Sequence, residues 1–277
     1  MKKMHFLTSR SFALCLFIMT LAMTTLTGCK KEEENDKYTG KSETYTLNMV
    51  SNPAINGKVT FKELKDMSAE VTITLVGTSA GMSHPAHIHA GATGDNGPIA
   101  VTLTSVEGAT GMSVTTVNKL DNGTALTYND LINYAGYVNV HKSLTEMATL
   151  IAQGDIGGSM LTTTSKQIDM AAQAGSGMTG RTTFTKRKNG NTLISISVSG
   201  TTPNVLHPAH IHRNTDGSIA VPLTHVNGTT GKSLTNISAT GTGAMTYEAL
   251  TTFDGYVNVH KGAAPDPGTV WSRGNIK

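Results

Sequence analysis

The sequence predicts an all-β protein made of two tandem sandwich domains, and three observations support this prediction. Runs of Val, Ile and Leu alternate with Thr and Ser, as in 71–76 and 194–198, which places the apolar side chains on one face of a strand. Clusters of Gly, Asn and Asp separate these runs and are typical of turns. The two halves also match each other at a period of about 120 residues, the size of a domain.

Residues 1–28 have the layout of a secretory signal peptide, with basic residues before an apolar run over 12–23 that is too short to span a membrane. The run leads into Leu26-Thr27-Gly28-Cys29, which resembles the lipobox of bacterial lipoproteins. This resemblance implies cleavage before Cys29 and attachment of lipid, including palmitate, to that cysteine. A plain signal peptide that happens to contain a cysteine is the alternative.

Residues 29–42 are predicted to form the lipidated cysteine and a solvated tether, because the segment is highly charged and has almost nothing to bury. Its acidic stretch resembles the one that sends some Gram-negative lipoproteins to the outer face of the outer membrane. The resemblance implies an exported protein anchored to the outer membrane and displayed at the surface. A tether without a sorting role is the simpler alternative.

Cysteine and charge content exclude several classes of protein. The only other cysteine, Cys15, lies in the signal peptide, so the mature chain has no internal disulfide and must rely on its core. Three of the 22 Lys and Arg residues also lie in the signal peptide, which leaves 19 to balance 19 Asp and Glu. A neutral chain without a basic block lacks the charge that nucleic-acid binding requires.

Domain 1 is predicted over residues 43–158 and domain 2 over residues 165–277, with the boundary in the Gly-, Ser- and Thr-rich stretch from Gly157 to Ser165. Helix is expected only as one short turn in each domain, over 127–131 and 246–250. In both places a threonine is positioned to cap the turn, just before a Gly-Tyr-Val-Asn-Val-His strand.

Eight of the ten histidines form two matching sets. Residues two apart on a strand share a face, so His87 and His89 project together while Ile88 points to the opposite side. His141, from the Gly-Tyr-Val-Asn-Val-His strand, would complete three nitrogen ligands with an open fourth position, which suits zinc or copper. The corresponding candidate ligands in domain 2 are His210, His212 and His260.

Four further residues are candidates for holding the ligand histidines in place without binding the metal themselves. His84 and His207 each precede a proline and are expected to support the loop or the ligand histidines. Asp95 and Asp216 can orient a ligand imidazole, although both also fit as simple turn residues. The alternative for all the histidines is a metal-free cluster in which the imidazoles donate to backbone carbonyls and accept from Asn or Ser, and Asn139 and Asn258 suit such a cluster.

The repeated motifs resemble the CHRD domain, which is named for chordin and also occurs in exported bacterial proteins. The resemblance rests on His-x-x-His-Ile-His, a Gly-rich loop, Ile-Ala-Val-x-Leu and the terminal Gly-Tyr-Val-Asn-Val-His, and it covers nearly all of residues 43–277. It implies a Greek-key β-sandwich of the immunoglobulin-like or superoxide-dismutase-like type. It implies no particular activity.

The His-x-x-His-x-His spacing is also similar to a ligand strand of copper-zinc superoxide dismutases. That likeness implies copper-type ligands at the six candidate positions: His87, His89, His141, His210, His212 and His260. However, no counterpart is found of that family's bridging histidine, zinc-binding loop or paired cysteines. His225 is an additional candidate ligand in domain 2, but its counterpart in domain 1 is Ser105.

No catalytic triad or carboxylate pair can be assembled from residues that both copies share, and no nucleotide-binding glycine motif occurs. The sequence therefore favours a membrane-anchored, non-enzymatic binding or interaction module, with a protein partner in the cell envelope or outside the cell. The alternative is a copper- or zinc-binding metalloprotein, of the superoxide-dismutase type, that uses the two histidine sets.

Overall fold

The computed structural model describes residues 37–173, 175–262 and 268–277. The predicted signal peptide and Cys29 lie outside these residues. The described chain consists mainly of β-strands, with one short helix in each half, which confirms the predicted all-β class. None of the helices in the described part has the length and apolar character needed to cross a membrane.

Domain 1 is a single antiparallel sheet of eight strands. The strands are β1 (Tyr38–Met49), β2 (Asn56–Leu64), β3 (Ala69–Val76), β4 (Ser83–Ala90), β5 (Ile99–Glu107), β6 (Met112–Val117), β7 (Ala135–His141) and β8 (Leu150–Gly157), with helix α1 (Tyr128–Asn133) between β6 and β7. They pair in the order β1-β2-β3-β6-β5-β4-β7-β8, and β8 pairs back with β1. The histidine strands β4 and β7 are therefore direct neighbours.

Domain 2 repeats this arrangement. Its strands are β9 (Leu161–Ala172), β10 (Thr179–Arg187), β11 (Thr192–Ser199), β12 (Leu206–Arg213), β13 (Ile219–Asn227), β14 (Lys232–Ile237), β15 (Gly255–His260) and β16 (Val270–Asn275), with helix α2 (Tyr247–Thr251) between β14 and β15. Its pairing order is β10-β11-β14-β13-β12-β15-β16-β9. Strand β9 thus takes the place of β1, and the matched halves of the sequence have the same topology.

The sequence predicted a sandwich of two sheets in each domain, and the strand pairing shows that the eight strands of each domain form one sheet that closes on itself. In domain 1 the closing pairs are Asn48 with Gln153 and Met49 with Ala152, and β16 and β9 close domain 2 in the same way. Alternation along a strand does not distinguish the two arrangements, because each of them buries one face of every strand. Closure depends on pairing between the ends of the domain.

The apolar face of each strand points into the barrel. Ile88 and Ile211, which lie between the candidate ligands, are completely buried in the cores of their domains, as the strand periodicity predicted. Phe61 and Phe184 occupy matching core positions and are also completely buried. The histidines on either side of Ile88 and Ile211 therefore lie on the outer face of the barrel.

The two short helices begin where the sequence predicted. Thr127 caps α1 and forms a capping box with Asp130, because each side chain bonds the other residue's backbone N–H. Thr246 caps α2 by accepting from the N–H of Ala249. Each helix leads directly into the strand that carries the third histidine, so its cap sets where that strand starts.

The first strand of each domain begins earlier in the chain than the predicted start of that domain. Strand β1 begins at Tyr38, inside the predicted tether 29–42, and Tyr38 donates a hydrogen bond of 2.6 Å to Glu70 of β3. Strand β9 begins at Leu161, inside the predicted boundary segment Gly157–Ser165. The first part of each strand is polar and exposed, so its sequence looks like a linker although its backbone is paired.

A buried arginine joins the two domains. Arg187, at the end of β10, is 1% exposed and donates from Nη1 to the carboxylate of Asp155 at 2.6 Å and to the carbonyl of Ser159. Its Nε and Nη2 donate to Oδ1 of Asn236 at 3.1 and 2.8 Å. The amide nitrogen of Asn236 in turn donates to Asp95 in domain 1 at 2.6 Å. Residues of both domains therefore share one polar network.

Candidate metal centre

Strands β4 and β7 bring three histidines of domain 1 to one point on the outer face. His87 lies opposite Asn139 in the antiparallel pairing, and opposite residues share a face of the sheet. His141, two residues after Asn139, lies on that face as well, and so does His89. Strands β12 and β15 repeat the arrangement in domain 2, where His210 lies opposite Asn258.

The three side chains of each set converge. One ring nitrogen from each of His87, His89 and His141 lies within 4.8 Å of the other two. The centroid of the His87 ring lies 5.2 Å from that of the His141 ring and 5.9 Å from that of the His89 ring. The set in domain 2, His210, His212 and His260, meets the same limit of 4.8 Å, so both domains contain a three-histidine cluster.

Backbone carbonyls orient two of the rings in domain 1. Nδ1 of His89 lies 2.8 Å from the carbonyl of Gly97, and Nδ1 of His141 lies 2.5 Å from that of Met147. Because a carbonyl only accepts, Nδ1 carries the proton in the neutral ring and the lone pair is on Nε2. Nε2 of both rings and Nδ1 of His87 are buried and lack a hydrogen-bond partner within the described chain. Each ring therefore has a free buried nitrogen.

In the domain 2 cluster a backbone carbonyl orients one ring, and two ring nitrogens lie close together. Nδ1 of His212 donates to the carbonyl of Gly217 at 2.8 Å, which leaves its buried Nε2 without a partner in the described residues. Nδ1 of His210 and Nε2 of His260 lie 3.3 Å apart. Ligand nitrogens on a tetrahedral ion are about 3.3 Å apart when the metal–nitrogen distance is about 2.0–2.1 Å. This pair already has that spacing.

Burial favours the neutral form of four of the six imidazoles. It lowers the pKa of His87 and His141 in domain 1, and the neighbouring histidines add to the effect. In domain 2 burial, reinforced by His260 and His212, lowers the pKa of His210 to about 4, and burial also lowers the pKa of His260. Neutral imidazole is the form that binds a metal ion, so burial favours the metal-binding form of these four rings.

His84 and His207 support the strand that carries the third histidine. Nδ1 of His84 donates to the carbonyl of Lys142 at 2.8 Å, next to His141 in the chain. Nδ1 of His207 donates to the carbonyl of His260 itself at 3.0 Å. Both residues therefore contact the backbone beside the cluster and are not members of it.

The two aspartates form turns and bond none of the clustered imidazoles. The carboxylate of Asp95 accepts from the N–H of Ala92 at 2.8 Å and from Asn236 of domain 2. Asp216 accepts from the N–H of Ser218 at 2.9 Å. Each lies in the loop whose glycine carbonyl bonds His89 or His212, so the loop orients the ring through its backbone.

Two tyrosines that the sequence analysis missed stack on the clustered histidines. Tyr137 stacks on His89 with ring centroids 5.1 Å apart, and Tyr256 stacks on His212 at 5.4 Å. The guanidinium of Arg273 lies 4.1 Å from the centroid of the Tyr256 ring. The tyrosine sits four residues before the third histidine in both repeats, and pairing the two motif strands would have placed it beside the second histidine.

The asparagines of these strands bond the next strand and not the histidines. Oδ1 of Asn139 accepts from Gln153 at 2.7 Å, and Oδ1 of Asn258 accepts from Arg273 at 3.0 Å. The metal-free alternative had the imidazoles donate to backbone carbonyls, as those of His89, His141 and His212 do, and accept from Asn or Ser. In domain 1 the three free nitrogens remain without such a partner in the described residues.

Comparison with known families identifies both halves of the chain. The model of the CHRD domain matches residues 37–146 and, a second time, residues 161–270. The two matches begin beside β1 and β9 and each includes the His-x-x-His-Ile-His strand and the third histidine. A comparison with curated proteins found no match.

Proposed function

The chain belongs to the CHRD-domain family, and we propose that each of its two CHRD domains is a binding module whose ligand is a divalent transition-metal ion, zinc or copper. One observation carries the proposal: in domain 1, His87, His89 and His141 each have a buried ring nitrogen without a hydrogen-bond partner in the described chain. Leaving a buried polar atom unpaired costs about 1–3 kcal/mol. A cation at the centre of the cluster uses all three lone pairs.

Three further features support the proposal. The outer nitrogens of His89, His141 and His212 are held by backbone carbonyls, the arrangement that orients metal-ligating histidines in other proteins. The ligand set consists of imidazoles, which suit zinc and copper better than magnesium or calcium. Three protein ligands also leave a fourth position for water or another small ligand. The proposal covers binding and does not extend to catalysis.

Metal stoichiometry tests the proposal. The purified full chain is stripped with a chelator, equilibrated separately with Zn²⁺ and Cu²⁺, desalted and measured by elemental analysis. We expect about two ions per chain for the metal that the sites prefer, one per cluster. The double variant His87→Ala/His89→Ala should retain one ion, and so should His210→Ala/His212→Ala.

His225→Ala is the matched control, because His225 is an exposed histidine of domain 2 outside the cluster. It should still bind two ions. Metal content that is unchanged in the two double variants, or absent from the unmodified chain with both ions, would overturn the proposal.

We further propose that the chain is exported and anchored by lipid on Cys29 to the outer membrane, where the two domains are available to ligands and to a protein partner. The support is in the sequence: basic residues, an apolar run and Leu26-Thr27-Gly28-Cys29, followed by charged residues. Cys29→Ser should move the protein out of the membrane fraction. Cys15→Ser, inside the apolar run, is the control and should leave fractionation unchanged. A wild-type chain that fractionates as soluble would refute the anchor.

A further inference from the structure

A cavity of about 560 Å³ opens on domain 1 near the start of β4. The residues that line it are the apolar Pro53, Ile55, Met82 and Ile151, then Gly77, and the polar Ser51, Asn52, Thr78, Ser79, His84, Lys142 and Thr149. Its volume falls in the range of about 300 to 1,000 Å³ that is typical of small-molecule sites. The clustered histidines do not line this cavity.

His84 lines the cavity and has a buried ring nitrogen without a hydrogen-bond partner in the described residues. The side chain is only 4% exposed, and its Nδ1 donates to the carbonyl of Lys142 at 2.8 Å. The neutral ring therefore carries its lone pair on Nε2. Nε2 is buried and has no hydrogen-bond partner among the described residues, so a ligand that reaches it with an N–H or O–H donor would satisfy it.

Domain 2 shows how the same position is completed within the protein. His207 is the counterpart of His84, and its Nε2 accepts from the backbone N–H of Thr202 at 3.2 Å. The indole ring of Trp271 lies against His207, with ring centroids 5.6 Å apart and planes at 35°. The counterpart of Trp271 on β8 is Ile151. Domain 1 thus lacks both the aromatic ring and the donor that domain 2 has.

We propose that this cavity of domain 1 is a binding site for a small planar aromatic molecule that carries an O–H or N–H donor, of the phenol or indole class. The ring takes the place that the side chain of Trp271 has against His207, and the donor bonds Nε2 of His84. The apolar residues Ile55, Met82 and Ile151 contact the ring. The site is separate from the metal clusters and does not depend on them.

Calorimetric titration of the full chain with indole and phenol, and with toluene as a ring that lacks a donor, tests the site. We expect indole and phenol to bind with one site per chain and about tenfold more tightly than toluene, because toluene leaves Nε2 of His84 unpaired. Ile151→Trp places the domain 2 side chain in the cavity and should weaken indole binding at least tenfold. Val114→Trp, at an exposed position of β6, should leave binding unchanged.

His84→Phe provides an independent measurement if Ile151→Trp does not fold. This variant keeps a ring in the wall but removes the acceptor, so phenol and toluene should bind equally. Failure of indole and phenol to bind at millimolar concentration would overturn the proposal. So would unchanged indole affinity in folded Ile151→Trp, or a preference for phenol that persists in His84→Phe.

Discussion

Arg187→Met tests how the two domains are held together. Methionine retains most of the buried aliphatic volume of Arg187 but removes the donors that bond Asp155, Ser159 and Asn236. The side chain of Asp155 is 15% exposed, so its carboxylate would be left largely desolvated without its cation. Removing one partner of a buried ion pair typically costs about 3–5 kcal/mol. We expect a loss of that size in the free energy of unfolding.

Arg181→Met is the matched control on the same strand. Arg181 pairs with Asp169 at 3.2 Å, and the two side chains are 55% and 85% exposed. Exposed pairs contribute about 0–1 kcal/mol because water and salt screen them. The control should therefore lose less than about 1 kcal/mol.

Urea unfolding measures both variants, followed by the fluorescence of Trp271, the only tryptophan, and by circular dichroism. The change Asp155→Asn, made in the Arg187→Met background, should restore part of the loss because it removes the unpaired charge. Equal effects of the two arginine variants, or a loss below about 1 kcal/mol for Arg187→Met, would refute the argument that this pair is buried and coupled.

Three further substitutions test local features. Burial raises the pKa of Tyr45 to about 12. The stability that the protonated Tyr45 contributes is therefore complete below the unfolded pKa of about 10 and is lost as the pH rises to 12. Tyr45→Phe should reduce this alkaline loss of unfolding free energy by up to about 2–3 kcal/mol, measured by urea unfolding at each pH. Thr127→Ala removes the cap of α1 and should cost about 1 kcal/mol by thermal unfolding, whereas an unchanged midpoint would show that the cap is not needed. An added Cβ at Gly97 would lie 1.8 Å from the carbonyl oxygen of Ala90, so Gly97→Ala should displace the Gly97 carbonyl that bonds His89. Metal binding, measured in competition with a chelator, should weaken about 10–100-fold. An affinity equal to that of the wild type would contradict this role for the loop.

Comparison of the two halves of the sequence locates part of what the motif analysis missed. Arg187 has Leu64 as its counterpart, at the ends of β10 and β2. A charged residue at a position that is apolar in the other repeat indicates a role peculiar to one domain. The residues that it contacts were not predictable in this way, because Asp155 and Asn236 lie on strands far apart in the sequence.

The sequence by itself determined the strand-rich class, the duplication, the threonine caps and the common face of His87 and His89. Each of these follows from residues that are close in the chain, since side chains alternate along a strand and a cap bonds within its own helical turn. The resemblance to a known family added that each of the two repeats is a CHRD domain.

Only the tertiary structure decided that each sheet closes on itself, that His141 and His260 reach the other histidines, and that Ile151 lines a cavity while Trp271 packs against His207. These features depend on which distant strands become neighbours and on their register. Alternating apolar residues are compatible with several such pairings, so the contacts that complete the candidate sites are set by the folded chain and not by any local pattern.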